Sequence, residues 1–422
     1  MGIQTIWNPT SWKELPAQQQ PEWPDAAQYD AALKELSTYP PLVYVNEIKS
    51  LQSALSLAAR GKAFLLQAGD CAESFHDHSA HSIQHKLKVI LQMAVVLTYS
   101  TGVPVIKIGR IAGQYAKPRS SPTERYGDLE LPSFRGHIVN SEEPDLKSRV
   151  PDPQRMLKAY HQSASSLNLI RSFTKGGFAD LSKVHTWTQE FVASSTEGQR
   201  YEAVAFEIER ALRFMAACGI DLSKEQVLQQ VNFWTSHEAL LLGYESALTR
   251  QDPGSGKWYD LSAHTLWIGE RTRDLNGAHL EYISGISNPV GCKIGPTTTR
   301  EQILGICEKL NPGRIPGRLT LISRMGADRI TDVLPSLVTA VKDEGYPVLW
   351  TSDPMHGNTF SSSGSGLKTR RFDVILNELK GFFEVHKGLG TWPGGVHIEL
   401  TGEDVTECLG GAEEVLEHEL DV

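Results

Sequence analysis

The sequence predicts an α/β protein folded as a (β/α)₈ barrel, and two patterns support this prediction. Short apolar or β-rich runs of four or five residues recur along the chain, and helix-like stretches separate most of them. Near-continuous apolar runs are typical of buried parallel strands. Strands that alternate with helices are typical of parallel α/β folds. A doubly wound sheet is the structural alternative, but it usually carries fewer than eight strands.

Eight runs are predicted to form the barrel strands: Ala63–Gln67, Pro104–Ile108, Gln230–Trp234, Thr265–Ile268, Val290–Ile294, Leu319–Ser323, Pro347–Thr351 and Val396–Glu399. Helical spacing is found in the stretches Asn46–Arg60, Ser82–Tyr99, Asp152–Phe173, Glu202–Cys218, Arg273–Ile283, Arg300–Leu310, Ile330–Glu344 and Arg371–Lys387.

The predicted domain organisation is one barrel with two additions. Residues 1–60 form a proline-punctuated N-terminal extension, and residues 61–422 form the catalytic barrel. The second and third strands are separated by far more residues than one crossover needs, so an inserted helical subdomain is expected within residues 120–228. Few residues follow the eighth strand, and the eighth helix is expected to be missing.

Composition and charge narrow the function. The 422 residues carry a net charge of −9 and are 40% hydrophobic, which is ordinary for a globular protein. An acidic chain is not expected to bind nucleic acid or an anionic membrane surface. The sequence has no apolar run long enough to cross a membrane and no secretory signal, so we expect a cytoplasmic location. Five scattered cysteines without a C-x-x-C pair argue against a disulfide framework or a structural zinc site.

Five basic residues occur at or just beyond the ends of the predicted strands, where barrel enzymes place their chemistry. They are Arg110, Lys117, Arg271, Lys293 and Arg324. Guanidinium groups match the geometry of phosphates and carboxylates, so this pattern favours a multiply anionic small molecule as the ligand. The alternative is that these residues only form salt bridges with carboxylates at the barrel end.

A second set at strand ends offers mixed ligands for a divalent transition metal: Cys71, His356 and Glu399. A metal of this kind acts as a Lewis acid on a carbonyl group. Taken alone, Cys71 would more often be a buried inert thiol, although the flanking Asp70 and Glu73 weaken that alternative. Asp353, His397 and Glu403 are competing ligands. P-loop, dinucleotide-binding and G-x-S-x-G motifs are absent from the sequence.

Ten segments, in order along nearly the whole chain, resemble the type II (plant-type) 3-deoxy-D-arabino-heptulosonate 7-phosphate (DAHP) synthases. They are WNPTSW, QQPEWPD, QAGDCAESF, KIGRIAGQYAKPRS, SHEALLLGYE, WIGERTR, NPVGCKIGP, LISRMGAD, TSDPMHGN and GGVHIELTGEDVTECLGG. The resemblance implies a metal-dependent transferase that condenses phosphoenolpyruvate with erythrose 4-phosphate and water, the first step of the shikimate pathway and of aromatic amino acid biosynthesis.

The resemblance also implies roles for individual residues. Cys71, His356 and Glu399 match three metal ligands, for manganese or cobalt. The phosphoenolpyruvate site is matched by Arg110, Glu270, Arg271, Lys293 and Arg324, of which Glu270 and Lys293 would handle the proton of the added water. The erythrose 4-phosphate element is matched by Lys117, Pro118, Arg119 and Ser120. A homo-oligomer (dimer or tetramer), contacts between subunits through the N-terminal extension, and an aromatic amino acid effector are further expectations.

The family pattern continues past the last residues of this sequence. The resemblance places a fourth metal ligand, an aspartate, and a final helix beyond Val422. Two alternatives to a working synthase therefore follow. One is a C-terminally truncated, catalytically impaired member that binds phosphorylated ligands or partners. The other is a different metal-dependent phosphosugar aldolase or lyase on the same barrel, although the ten ordered segments argue against it.

Overall fold

The computed structural model describes residues 7–176, 196–221, 230–362, 367–403, 405–411 and 414–420. Eight parallel strands close into a barrel in the spatial order β1-β8-β7-β6-β5-β4-β3-β2. The strands are β1 (Phe64–Gly69), β2 (Val105–Arg110), β3 (Phe233–Glu238), β4 (Thr265–Ile268), β5 (Val290–Ile294), β6 (Leu319–Ser323), β7 (Leu349–Ser352) and β8 (Gly395–Glu399). The predicted (β/α)₈ fold class is confirmed.

Ten α-helices lie in the described residues. They are α1 (Ala26–Leu36), α2 (Val45–Ala58), α3 (Ala80–Thr101), α4 (Gln154–Lys175), α5 (Thr196–Ala217), α6 (Leu242–Leu248), α7 (Ala278–Gly285), α8 (Arg300–Leu310), α9 (Ile330–Asp343) and α10 (Phe372–Gly388). Local sequence explains their ends. At α8, Thr299 caps the helix, accepting from the backbone of Gln302, whose side chain accepts from the backbone of Thr299.

Three predicted elements are displaced by four residues or more, among them the helix expected at Glu202–Cys218, which begins at Thr196 as α5. The third strand was expected at Gln230–Trp234, but β3 lies at Phe233–Glu238, so it includes the polar residues Ser236 to Glu238 at its end. The helix observed as α7 was expected to begin at Arg273. It begins at Ala278, because the amide of Gly277 bonds the carbonyl of Asp274 and closes a turn in front of the helix.

Smaller elements surround the barrel. Within the predicted insertion, an antiparallel hairpin (Thr123–Tyr126 with Leu129–Pro132) precedes α4 and α5; residues 177–195 and 222–228 of that range lie outside the described residues. Past β8, the described stretches contain the strand Cys408–Leu409 and the 3-10 helix Glu417–Glu419, but no α-helix. The strand Cys408–Leu409 pairs with Lys368–Arg371, which joins the end of the chain to the segment before α10.

Membrane crossing was tested on the part of the chain that the structure describes. None of its helices combines the length and the apolar character that a membrane span requires.

Buried neutral histidines make the fold sensitive to acid. Burial lowers the pKa of His279 and of His386 to about 4. Between pH 6.5 and 4 the unfolded chain binds a proton at each imidazole while the folded chain does not, so stability falls as the pH falls. Each residue is expected to contribute a loss of about 3 kcal/mol in the free energy of unfolding over this range.

Urea unfolding measured at a series of pH values tests this expectation. The variant His279→Gln removes one of the two titrating groups and should show a shallower fall of stability below pH 6.5. Since Nε2 of His279 lies 3.0 Å from the carbonyl oxygen of Leu240, the glutamine amide can still donate there. An unchanged slope in the variant would contradict the assignment.

Candidate active site

Ionisable side chains from all eight strands gather at the C-terminal end of the barrel. Arg110 ends β2, Glu399 ends β8 and Lys293 lies in β5. Glu238 is the last residue of β3. The other side chains come shortly after their strands: Cys71 after β1, Glu270 and Arg271 after β4, Arg324 after β6, and Asp353 and His356 after β7.

Glu399 is held by three cationic or potentially cationic partners. Its Oε1 lies 3.0 Å from Arg110 Nη2 and 3.0 Å from His356 Nε2, and its Oε2 lies 2.9 Å from Arg370 Nη2. Burial alone would raise the pKa of Glu399, but these partners hold it well below its usual range. Glu399 is therefore a carboxylate under all physiological conditions. Arg370 was not among the residues that the sequence indicated.

Asp353 connects Lys293 with His356. Its Oδ2 accepts from Lys293 Nζ at 2.8 Å and lies 2.8 Å from His356 Nδ1. Asp353 is fully buried, and burial would raise its pKa; the neighbouring His356 and Lys293 hold that pKa well below its usual range instead. A carboxylate bonded to Nδ1 fixes the orientation of the ring and leaves Nε2 directed at Glu399. Metal-ligating histidines usually have a partner of this kind.

Cys71 lies beside the same carboxylate. Burial raises the pKa of the Cys71 thiol to about 11, and the charge of Glu399 adds to that effect. A thiolate at this position therefore needs a nearby positive charge, which a divalent cation supplies. Cys71, His356 and Glu399 offer sulfur, nitrogen and oxygen donors from three neighbouring strand ends, so these residues fit a transition metal.

Glu270 and Arg324 meet at the end of β5. A Cβ atom added to Gly295 would lie 2.7 Å from Glu270 Oε1 and 3.2 Å from Arg324 Nη1, so both side chains cover that glycine. Arg324 Nη2 also donates to the carbonyl of His356 at 2.6 Å. Glu270 Oε1 accepts from Arg273 at 2.9 Å, whereas Oε2 is buried and has no hydrogen-bond partner among the described residues. Oε2 is therefore a free proton acceptor.

The Lys117–Ser120 segment lies at the rim, joined to β4. Ser120 Oγ accepts from Arg271 Nη2 at 2.7 Å. The backbone amide of Lys117 donates to the carbonyl of Arg135 at 2.9 Å, and the side chain of Arg119 pairs with Glu124. Lys117, Pro118 and Arg119 are half-buried, while Ser120 and Arg271 are exposed. The rim is thus open to solvent and rich in cations.

Arg110 is the most deeply buried of the basic residues in the mouth, only 2% exposed, and Lys293 is buried as well. Its Nε donates to the carbonyl of Asp70 at 3.1 Å, its Nη1 lies 3.0 Å from His397 Nε2, and its Nη2 pairs with Glu399. In this structure Arg110 lies beneath the mouth and orients Glu399. The sequence analysis named His397 only as a competing ligand; its Nε2 faces Arg110 and its Nδ1 faces Gln67 Oε1 at 2.9 Å.

Glu238 is a site residue that the sequence analysis missed. Burial raises the pKa of Glu238, although Lys293, His356 and Arg110 are near enough to oppose that effect. Its Oε1 approaches the position that a Cβ on Gly269 would occupy, which places it under the loop after β4. Glu238 did not stand out as a strand-end residue because the third strand was predicted to end at Trp234, four residues too early.

A buried carboxylate also fixes the loop after β2. Glu73 accepts three backbone hydrogen bonds, from Ala112 at 3.0 Å and from Gly113 and Gln114 at 2.8 Å. The Gln114 side chain in turn donates to the carbonyl of Cys71 at 3.2 Å and accepts from the amide of Glu238 at 2.8 Å. The loops after β1, β2 and β3 are therefore locked together.

A second group of side chains that could hold a metal lies elsewhere: the exposed His76 and the partly exposed Glu142 with the buried His137. His137 Nε2 lies 2.6 Å from Glu142, and His137 Nδ1 lies 3.3 Å from Arg155 Nη2. A guanidinium only donates, so Nδ1 is the acceptor and the proton of the neutral ring is on Nε2. Ligation through Nε2 would need the proton on Nδ1 and an acceptor beside it, where His137 has the guanidinium of Arg155, so we interpret this group as a polar cluster.

Fold and site together define a class: a (β/α)₈-barrel enzyme whose mouth gathers cationic side chains around buried carboxylates. Residues 7–422 match the family model described as the Class-II DAHP synthetase family. The chain belongs to that family.

Two curated relatives are similar over most of their length. A phospho-2-dehydro-3-deoxyheptonate aldolase of Streptomyces coelicolor is 56% identical over 410 residues, which cover 97% of this chain and 90% of that protein. The phospho-2-dehydro-3-deoxyheptonate aldolase AroG of Mycolicibacterium smegmatis is 50% identical over 411 residues, covering 96% of this chain and 87% of that protein.

Proposed function

We propose that the chain condenses phosphoenolpyruvate with erythrose 4-phosphate and water to give DAHP and inorganic phosphate, the first step of the shikimate pathway. The observation that carries the proposal is the mouth itself, where Lys293, Arg324 and Arg271 approach the carboxylates of Glu270 and Glu238 in a member of this family. Two phosphorylated substrates need cations, and the proton transfers need carboxylates.

The two substrates would occupy neighbouring parts of the mouth. Phosphoenolpyruvate is assigned to Arg110, Glu270, Arg271, Lys293 and Arg324, and erythrose 4-phosphate to Lys117, Pro118, Arg119 and Ser120. The hydrogen bond between Arg271 and Ser120 supports this arrangement, because it joins the two sets at their border. Holding both substrates there would convert a bimolecular encounter into a reaction within one complex.

Cys71, His356 and Glu399 would hold a divalent metal, for which manganese and cobalt are our candidates. When bound, such a cation acts as a Lewis acid on the aldehyde oxygen of erythrose 4-phosphate.

The reaction forms a bond between C3 of phosphoenolpyruvate and the aldehyde carbon, whose oxygen takes up a proton and becomes a hydroxyl. Water adds at C2, and the bond between C2 and the phosphate oxygen breaks as the ketone forms and phosphate leaves. One proton of the water must be accepted. Glu270 Oε2 is buried and unpaired among the described residues, so it is the acceptor that the geometry favours. Lys293 Nζ lies 2.8 Å from Asp353 Oδ2, and the part proposed for Lys293 is to donate a hydrogen bond where negative charge develops.

Phosphate release from phosphoenolpyruvate tests the proposal, measured with and without erythrose 4-phosphate, chelator and added Mn²⁺. Release that requires both substrates and the metal would support the synthase. A folded chain that binds phosphoenolpyruvate but releases no phosphate would instead support the alternative of an impaired member that only binds phosphorylated ligands or partners.

Asp353→Asn is expected to lower the affinity for Mn²⁺ about 10–100-fold, the usual effect of losing a carboxylate bonded to a metal-ligating histidine. The amide carries no negative charge, and it replaces with an NH2 donor one of the two carboxylate oxygens that both face His356 Nδ1. Titration calorimetry with Mn²⁺ measures the effect. Asp328→Asn is the matched control, because Asp328 is exposed. Equal affinities in the two variants would remove Asp353 from the site.

We further propose that the protein assembles as a homo-oligomer (dimer or tetramer), acts in the cytoplasm and responds to an aromatic amino acid. The support for these points is family membership alone. Light scattering, and the phosphate-release assay with added phenylalanine, tyrosine or tryptophan, test assembly and response.

A further inference from the structure

The N-terminal segment 7–20 is bonded to the barrel of its own chain. Trp7 Nε1 donates to the carbonyl of Glu281 in α7 at 3.0 Å, and Trp12 Nε1 donates to Ser246 Oγ in α6 at 2.7 Å. The amide of Ala278 donates to the carbonyl of Pro16 at 3.0 Å. These bonds lead the segment along α6 and α7 towards the loops of the mouth.

Two consecutive glutamines at its end bind two different mouth loops. Gln19 Oε1 accepts from the amide of Arg119 at 2.8 Å, and Gln19 Nε2 donates to the carbonyl of Arg119 at 2.9 Å. Gln20 Nε2 donates to the carbonyl of Leu240 at 2.7 Å, and Gln20 Oε1 accepts from the amide of Leu242 at 3.2 Å. Each side-chain amide therefore satisfies both a backbone donor and a backbone acceptor of a loop.

The conformation of Gln19 indicates that this arrangement is specific. Its φ angle is 62°, in the left-handed region that residues other than glycine rarely adopt. Such conformations persist where surrounding contacts determine them, and they cluster at functional sites. At Gln19 those contacts are the two hydrogen bonds to Arg119 and the neighbouring pair made by Gln20.

We propose that Gln19 is a positioning residue that sets the place of the Lys117–Ser120 segment over the mouth. The inference rests on the proposed function, in which this segment binds erythrose 4-phosphate. The segment is then held on both sides: Gln19 fixes the backbone of Arg119, and Arg271 fixes the hydroxyl of Ser120. The N-terminal extension thereby contributes to the substrate site of its own chain.

Gln19→Ala tests the role in catalysis. It removes both hydrogen bonds to Arg119, so KM for erythrose 4-phosphate should rise about tenfold, while KM for phosphoenolpyruvate and kcat change less than about twofold. Gln18→Ala is the matched control: the same substitution one residue earlier, at an exposed side chain. The control should behave as the parent chain. Equal rises in KM for both substrates would show a general structural effect and overturn the proposal.

Gln19→Gly separates positioning from stability. Glycine accepts a positive φ without strain, so the midpoint of thermal unfolding should not fall below that of Gln19→Ala, yet KM for erythrose 4-phosphate should rise as much. If Gln19→Gly kept the parent KM, the amide contacts would be irrelevant and the proposal would be wrong.

Hydrogen exchange provides a readout that does not need turnover. Peptides spanning residues 115–121 should exchange faster in Gln19→Ala than in Gln18→Ala, because the amide of Arg119 loses its acceptor. If the parent chain released no phosphate but this difference were present, the proposed function would fail while the tether stood. If the exchange were identical in both variants, the tether itself would be refuted.

Discussion

Lys293→Met is expected to lower kcat by about 10²–10³-fold, the range typical of losing one preorganised donor to developing negative charge. Lys293 is 6% exposed in the barrel mouth, and its Nζ lies 2.8 Å from Asp353 Oδ2. Methionine has a similar volume but no charge, so the substitution removes the ammonium that would stabilise developing negative charge. Phosphate release at saturating concentrations of both substrates measures the effect.

The control must account for the buried carboxylate that the substitution leaves behind. Removing one partner of a buried ion pair costs about 3–5 kcal/mol of stability, so the folded fraction must be measured by circular dichroism. The double variant Lys293→Met with Asp353→Asn removes the unpaired charge and should remain as slow. Lys309→Met, which breaks a partly exposed pair with Glu281, should turn over normally. A Lys293→Met variant that turned over normally but bound phosphoenolpyruvate weakly would contradict the catalytic role.

The sequence was sufficient to predict the barrel because each strand is a short apolar run with a clear end. Five of the eight predicted strands end within one residue of the observed strand, among them β4, β5 and β6, which match at both ends. The third strand was displaced because its observed residues, FWTSHE, are polar in their second half. These polar residues are buried because distant loops supply hydrogen-bond partners for them. One example is the side chain of Gln114, which accepts a hydrogen bond from the amide of Glu238.

The candidate site was predictable where chemistry follows a strand end, and less so where it depends on tertiary contacts. Cys71, His356 and Glu399 could be singled out from their positions in the sequence. Arg370 could not, because it reaches Glu399 from the segment before α10, which has no strand-end pattern. The same holds for Gln19, whose link to Arg119 spans 100 residues of sequence. Local periodicity carries no information about such pairs.

Glu399→Gln is expected to reduce the affinity for Mn²⁺ by more than the about 10–100-fold that substitutions of outer-shell groups cause. Cys71 carries a negative charge only after its thiol loses a proton. Glu399 is the one proposed ligand that is negatively charged without that step, and the substitution removes its charge. His356, Arg110 and Arg370 hold the pKa of Glu399 well below its usual range although burial opposes them. The carboxylate is therefore available to a cation at any physiological pH.

Glu407→Gln is the matched control, because Glu407 also pairs with Arg370, at 2.9 Å, but its side chain is 40% exposed. If Arg370 mattered only as a structural anchor, both variants would lose metal affinity together. If Glu399 itself binds the metal, only Glu399→Gln should lose affinity, and phosphate release should fail even at high Mn²⁺. Titration calorimetry with Mn²⁺ on both purified variants distinguishes these outcomes. Retention of the parent affinity by Glu399→Gln would place the metal elsewhere in the mouth.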